Sequence, residues 1–315
     1  MAVARTGQIA RQRTRPSAAR PVFRLFPVTV TRVRRLSPSF ARITLTADCL
    51  RGFGNGGDDQ RIKVVLPKPG RTLDDFPDAP DWYQRWQQLP EATRPDLRTY
   101  TVRAFRPETR ELDVDFVLHG VDHGRSGPAS GWAANAQPGD RIGVIGPDAG
   151  TGNCRSGCEW SPPECAERLV LAGDETAVPA VGAILESLPA DARGVACLEV
   201  PEAGDRQEWS VPDGVEVRWF ARCGATPHGK LLEEGVAEVL RELPDRPRRS
   251  TAEFEDIDLD NDVLWEIPER SSGSVYGWLA GEASVIKRLR RMMVNEHGIP
   301  KQAVAFMGYW REGRC

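Results

Sequence analysis

No stretch of about eighteen apolar residues occurs anywhere in the chain, which excludes a transmembrane helix. A basic surplus is missing too. Lys and Arg number 42 against 45 Asp and Glu, giving a net charge of -3 and a pI near 5.9, and this argues against a general binder of nucleic acid or anionic membranes. Any basic site must therefore be local. The first twenty residues contain Arg5, Arg11, Arg13, Arg15 and Arg20 but no acid, and they lack the apolar core of a secretory signal. Residues 1–21 thus read as a disordered basic tail, with a transit peptide as the alternative. The seven cysteines are odd in number and scattered through a chain large enough to build a core without staples, which points to a reducing cytoplasm. Cys154, Cys158 and Cys165 lie close together, yet their x3 and x6 spacings match neither a zinc knuckle nor a common ferredoxin pattern. A loop with free thiols and no metal site is expected there, and Cys315 is expected to be an exposed thiol.

What is present is ordinary globular chemistry, 40% hydrophobic and 28% charged over 315 residues, enough for two domains. Between residues 28 and 146 six short runs have strand character, and 28–33, 42–46 and 112–119 alternate most cleanly. Leu112, Val114, Phe116 and Leu118 share one side, with Asp113, Asp115 and His119 on the other. Many short half-buried strands separated by turns imply an antiparallel Greek-key barrel over residues 22–147. The interruption at 71–95, rich in Pro, Asp and Trp, is a long loop with one short helix expected around 82–88. A linker follows at 148–166, and the pattern then changes over 167–315. Strands are expected at 168–172, 195–200, 215–220, 275–280 and 303–308. Helices are expected at 177–188, with Pro179 in the first turn, at 230–243, and at 284–296, where Val285, Ile286, Leu289, Met292 and Met293 fall on one face. Gly298 suits the last helix's C-terminal cap. Alternating strand and helix implies a parallel sheet covered on both faces. The segment 244–262, an arginine cluster followed by an acidic run, reads as a solvated surface loop.

The most informative stretch is Arg98-Thr99-Tyr100-Thr101, followed by Asp115-Phe116-Val117-Leu118-His119-Gly120 and Gly127-Pro128-Ala129-Ser130-Gly131-Trp132. Side chains two apart in a strand point the same way, so Arg98 and Tyr100 offer a cation for a pyrophosphate and a flat ring for an isoalloxazine on one face. Together with the segments 61–67, 173–179, 278–282 and 308–311, in this order, these residues resemble the siderophore-interacting protein family. Its members are flavin-dependent ferric-siderophore reductases of the ferredoxin-reductase superfamily, and the resemblance runs from about residue 28 to the C-terminus.

That resemblance implies an FAD-binding barrel followed by a nicotinamide-binding parallel-sheet domain, with the flavin in the cleft between them. By analogy Arg98 contacts the cofactor's pyrophosphate, Thr99 belongs to the cofactor-binding set, Tyr100 stacks on the ring, and Thr101 or its backbone lies near the ring's reactive edge. His119 and Gly120 border the cofactor, and Ala129, Ser130 and Trp132 hold the pyrophosphate and adenine side, which implies FAD rather than FMN. Asp174, Glu175 and Thr176 stand where related reductases carry a glycine-rich turn, so they are expected to order the ribose or nicotinamide side; an N-cap box on a buried helix is the alternative. Gly281 and Glu282 form the second nicotinamide-facing turn. Lys63, Lys301 and Arg311 are the basic residues that could receive an anionic ferric siderophore. The implied activity is NAD(P)H-dependent reduction of a ferric siderophore through FAD, releasing ferrous iron in the cytoplasm, by a monomer that binds neither nucleic acid nor membrane. A general flavin or ferredoxin-type reductase with another acceptor, and a non-catalytic siderophore-binding flavoprotein, are the alternatives. NADH and NADPH stay undecided: Glu199 could bind ribose hydroxyls, whereas Arg222 could meet a 2′-phosphate.

Overall fold

The computed structural model describes residues 22–77, 79–120, 126–243, 264–268 and 273–313. The basic tail, the 244–262 segment and Cys315 lie outside the described residues. In the first half, strands β1 (Phe23–Ser37), β2 (Phe40–Thr46), β3 (Arg61–Leu66), β4 (Asp96–Thr101), β5 (Ala104–Arg106), β6 (Glu111–Val117) and β7 (Arg141–Pro147) form one antiparallel sheet. Its order is β4-β3-β7-β1-β2-β6-β5, so the seven strands contain one more than the six runs expected, the addition being short. The alternation in β6 is explained by its two faces. Leu112, Val114 and Phe116 are fully buried in the barrel core, while Arg106 holds Asp113 and Arg42 holds Asp115 on the other side. The sheet curls until β4 meets β6 through side chains: the Tyr100 and Phe116 rings are 4.3 Å apart although their strands are not paired. Helix α1 (Trp82–Gln88) sits in the long loop where the sequence places it. Helix α2 (Pro128–Asn135) carries the segment read only as a cofactor contact; Pro128 suits its first turn, and Ala129 and Ala133 pack on the barrel core.

The second half is built on β8 (Arg168–Gly173), β9 (Gly194–Val200), β10 (Val215–Ala221), β11 (Trp265–Glu266), β12 (Val275–Glu282) and β13 (Val304–Trp310), in the order β10-β9-β8-β12-β13-β11. All neighbours are parallel except β11, an antiparallel edge strand. Near-continuous burial along β8 and β12 follows from cover on both faces, by α3 (Val178–Ser187) on one and α4 (Lys230–Glu242) with α5 (Ala283–Arg291) on the other. The last expected helix is shorter than 284–296, because Met292–Glu296 widens into a π turn in which the His297 N–H reaches the Met292 carbonyl. Gly298, at φ +69°, lies just beyond that turn.

The two halves are locked by buried polar contacts. Asp59, fully buried, accepts from the Trp278 indole at 2.9 Å and from the Trp160 N–H at 3.0 Å. Asp205 accepts from Ser37 and from the Ser39 N–H, both at 2.7 Å, and Arg103 reaches Glu186 of α3 at 2.7 Å. Among the described residues no helix is long and apolar enough to cross a membrane.

Candidate functional site

Where the barrel meets the parallel sheet lies a cleft of about 680 Å³, within the size range of about 300–1,000 Å³ common for small-molecule sites. One wall is β4. Because side chains alternate, Arg98 and Tyr100 lie on one face, and Thr99 and Thr101 also border the cleft. The Tyr100 ring rests on Phe116, and burial pushes its phenol above the ordinary value, so it stays a neutral flat surface. Behind it the N-terminus of α2 opens toward the cleft through Gly127, Ala129 and Ser130. Backbone N–H groups in the first turn of a helix have no intrahelical partner, which makes them ready donors for a phosphate. The Ser130 hydroxyl is turned away, donating to the His119 carbonyl at 3.1 Å. A cation, a ring and a helix N-terminus along one wall fit the phosphates and ring of FAD.

The facing wall comes from the ends of the parallel strands. Thr176 and Pro179 line it after β8, and the run Tyr309 to Gly313 lines it from the end of β13 onward. Beneath this wall lies a network of buried acids. Asp174 accepts from the Thr176 N–H at 2.9 Å and hydroxyl at 2.5 Å, from the Glu282 N–H at 2.8 Å and from the Trp310 indole at 2.8 Å. Burial pushes its carboxyl up, but His228, Thr176 and Trp310 together hold it below the ordinary carboxylate value. Glu175 forms a two-pronged pair with Arg222 at 2.9 Å, and Arg222 also reaches Glu199 at 3.0 Å. Glu199 in turn accepts the Gly229 and Leu232 N–H groups at the start of α4. Glu282 caps α5 through the Ser284 and Val285 N–H groups and accepts the Glu312 N–H at 3.3 Å; burial opposes its charge, yet these donors hold its carboxyl low.

Several expected residues therefore sit differently from the expectation. Arg98, Thr99, Tyr100, Thr101, His119, Ala129, Ser130, Thr176 and Arg311 all border the cleft. Asp174, Glu175 and Glu282 lie under its wall instead, with their oxygens directed to protein donors; Asp174 and Glu175 do not form the expected N-cap box either, since the N-cap residue of α3 is Ala177, without a side-chain cap. Gly281 makes room for one of them: at φ +153° an added Cβ would come within 2.7 Å of the Asp174 carboxylate. The Trp132 ring packs in the barrel core, 5.4 Å from Phe116. Gly120 ends the described part of its segment at φ +63°, outside the cleft lining. Lys63 donates to Thr99 at 3.1 Å, one residue back from the cleft, and Lys301 pairs with Glu266 at 2.8 Å. Neither Glu199 nor Arg222 presents a free group to a nucleotide, since each binds the other.

Arg61 was missed as a site residue although its segment was noted. It borders the cleft, stacks its guanidinium 4.3 Å from the Trp265 ring and pairs with Glu159. Its place two residues before Lys63 on the same strand face was the available signal. His228 had none, because its partners come from three separate strand ends. Cys49, Cys154, Cys158, Cys165, Cys197 and Cys223 are free thiols, and burial pushes Cys158 to about 12.

Residues 29–151 match the model of the siderophore-interacting FAD-binding domain, and residues 166–313 match that of the siderophore-interacting protein. The crystal structure of the siderophore-interacting protein SipS from Aeromonas hydrophila is 31% identical, with a TM-score of 0.65 over 94% of each chain. Ferric vibriobactin reductase ViuB from Vibrio cholerae is 29% identical over 93% of this chain and 92% of its own. An NADPH-dependent ferric-chelate reductase from Escherichia coli is 28% identical over 94% of this chain and 96% of its own. Solved ferredoxin reductases share the fold at 12–15% identity.

Proposed function

The chain belongs to the siderophore-interacting protein family, and from that premise we propose that it reduces the iron of a ferric siderophore with NAD(P)H, through FAD held in the interdomain cleft. It is an FAD-dependent oxidoreductase. The observation that carries the acceptor and donor assignments is the two-sided cleft, with Arg98 and Tyr100 on the barrel wall and Thr176 and Trp310 on the opposite one.

In this reading Arg98 and the first turn of α2 hold the cofactor's phosphates, and Tyr100 supports the ring. Thr101 orients the ring edge by hydrogen bonding. Bound FAD supplies the conversion between a two-electron donor and a one-electron acceptor. Thr176, whose hydroxyl is fixed on Asp174, positions the nicotinamide side. Arg61, Arg98 and Arg311 outnumber Asp115 and Glu312 in the cleft lining, a local positive balance that attracts an anionic chelate despite the net charge of -3. Lys63 adds to this field from beside Thr99. One NAD(P)H reduces two ferric ions and leaves NAD(P)+, two ferrous ions and one proton. Hard oxygen donors hold ferrous iron less tightly than ferric, so reduction releases the metal. A monomer working in the cytoplasm completes the proposal; the six cysteines among the described residues are free thiols, which supports the compartment.

The test is spectroscopic. Purified protein should be yellow, should bleach anaerobically with NADH or NADPH, and should recover its colour on addition of a ferric catecholate or hydroxamate. Bleaching without recovery would point to a different acceptor, and protein that does not bleach would overturn the enzymatic reading.

A further inference from the structure

His228, which helps to hold the Asp174 carboxyl low, lies in the loop between β10 and α4 and has no part in the proposed reaction. Its Nε2 is buried, 3.4 Å from Asp174 Oδ2 and 3.8 Å from Glu175 Oε2, without a close hydrogen-bond partner. The ring meets the Trp310 indole edge-on, with centroids 5.2 Å apart. Trp310 borders the cleft and donates its indole N–H to the same Asp174 oxygen that His228 approaches. From the strand ends around it, His228 thus faces two carboxylates and the Arg222 guanidinium, with Glu199 behind Arg222. His119 also faces this cluster, its Nδ1 3.6 Å from Glu175 Oε1 and its ring 6.3 Å from Trp310, but only His228 approaches Asp174 Oδ2, so an imidazolium there adds a positive charge to that of Arg222 directly beside the oxygen that holds Trp310.

We propose that His228 is a positioning residue of the cleft: as an imidazolium between Asp174 and Glu175 it fixes the carboxylate that holds Trp310, so that the nicotinamide-side wall is ordered when His228 is protonated and loosens when it is not. Burial opposes the charge on His228, but Asp174 and Glu175 outweigh burial and raise its pKa above the ordinary 6.5. The ordering is therefore complete in mildly acidic solution and is lost as pH rises through that raised value. The Trp310 indole is a flat surface at the mouth where the donor must dock, so its order governs donor binding more than the later electron steps.

This inference rests on the proposed nicotinamide reaction, and the experiment separates the two. In the FAD-loaded protein the indole N–H resonance of Trp310, assigned by its loss in Trp310→Phe, is followed from pH 6 to 9 together with the apparent KM for the nicotinamide. The wild type should show one titration in both readouts, with KM rising about tenfold as the wall loosens, which corresponds to about 1.4 kcal/mol of donor binding. His228→Gln should give the high-pH resonance and the high KM throughout. His228→Lys, which keeps a cation, should hold the low-pH values across the range while kcat changes little. Superimposable indole titrations in wild type and His228→Gln would overturn the inference even if the enzyme turns over normally. Failure of wild-type flavin to bleach would instead refute the nicotinamide reaction, while the resonance titration would still test the contact.

Discussion

Replacing Asp59 with Ala should destabilise the junction between the domains. The carboxylate is fully buried and receives three donors: the Trp278 indole at 2.9 Å, the Trp160 N–H at 3.0 Å and the Glu159 N–H at 3.0 Å. Truncation leaves those donors without partners, at about 1–2 kcal/mol each, or about 3–6 kcal/mol in all. Burial, however, raises the Asp59 carboxyl above its ordinary value, so the folded protein already resists its charge, and the loss should fall near the lower limit. At about 2–4 °C per kcal/mol for a chain of this size, melting should drop by about 6–12 °C. An acid with a raised folded pKa contributes most below its unfolded value and loses that contribution as pH rises through the folded one. The gap between wild type and Asp59→Ala should therefore be widest near about pH 4 and narrow toward neutrality. Tryptophan emission during thermal melts reports the junction directly, because Trp160 and Trp278 lie on it. A shift below about 2 °C, or a gap that widens with rising pH, would refute this reading.

Arg98→Ala and Tyr100→Ala should each lower FAD occupancy after gel filtration, by about tenfold in affinity or more, since one removes a charged phosphate contact and the other a stacking face. Lys63→Ala should raise the KM for an anionic ferric siderophore while leaving flavin bleaching by the nicotinamide nearly unchanged, and the defect should shrink as salt is added. Asp113, Asp174, Glu266 and Glu282 all have lowered folded pKa values, so their contribution is complete above their unfolded values of 3.8 and 4.5 and is lost as pH falls through the folded ones. Melting temperature against pH should accordingly have an acid limb, and Glu282→Gln should flatten it.

The barrel and the parallel sheet were legible because their signals are local. In β6 a period of two separates Leu112, Val114 and Phe116 from Asp113 and Asp115, and in β8 and β12 unbroken apolar runs mark strands covered on both faces. The shared face of Arg98 and Tyr100 follows from the same period and needs no tertiary knowledge. Helix α2 gave no such signal: its eight residues show no clear apolar period, and its start is set by Pro128.

The acids were harder to read, because their partners are far away in sequence. Asp174 is joined to Trp310 across 136 positions and to Glu282 across 108, and Glu175 to Arg222 across 47. Seen alone, two carboxylates after a strand look like groups for a ligand. Seen with their donors, they do for this wall what glycines do in a phosphate-binding turn, setting backbone geometry at the strand ends, but by hydrogen bonding the neighbouring strands instead of by yielding space. The glycine requirement has moved with them: Gly281, on the adjacent strand, is the position that gives way to a side chain, and that side chain belongs to Asp174. A donor approaching this wall would then meet Thr176 and Trp310, which the acids hold from behind, and Asp174→Asn should disturb the Trp310 indole resonance as strongly as His228→Gln does.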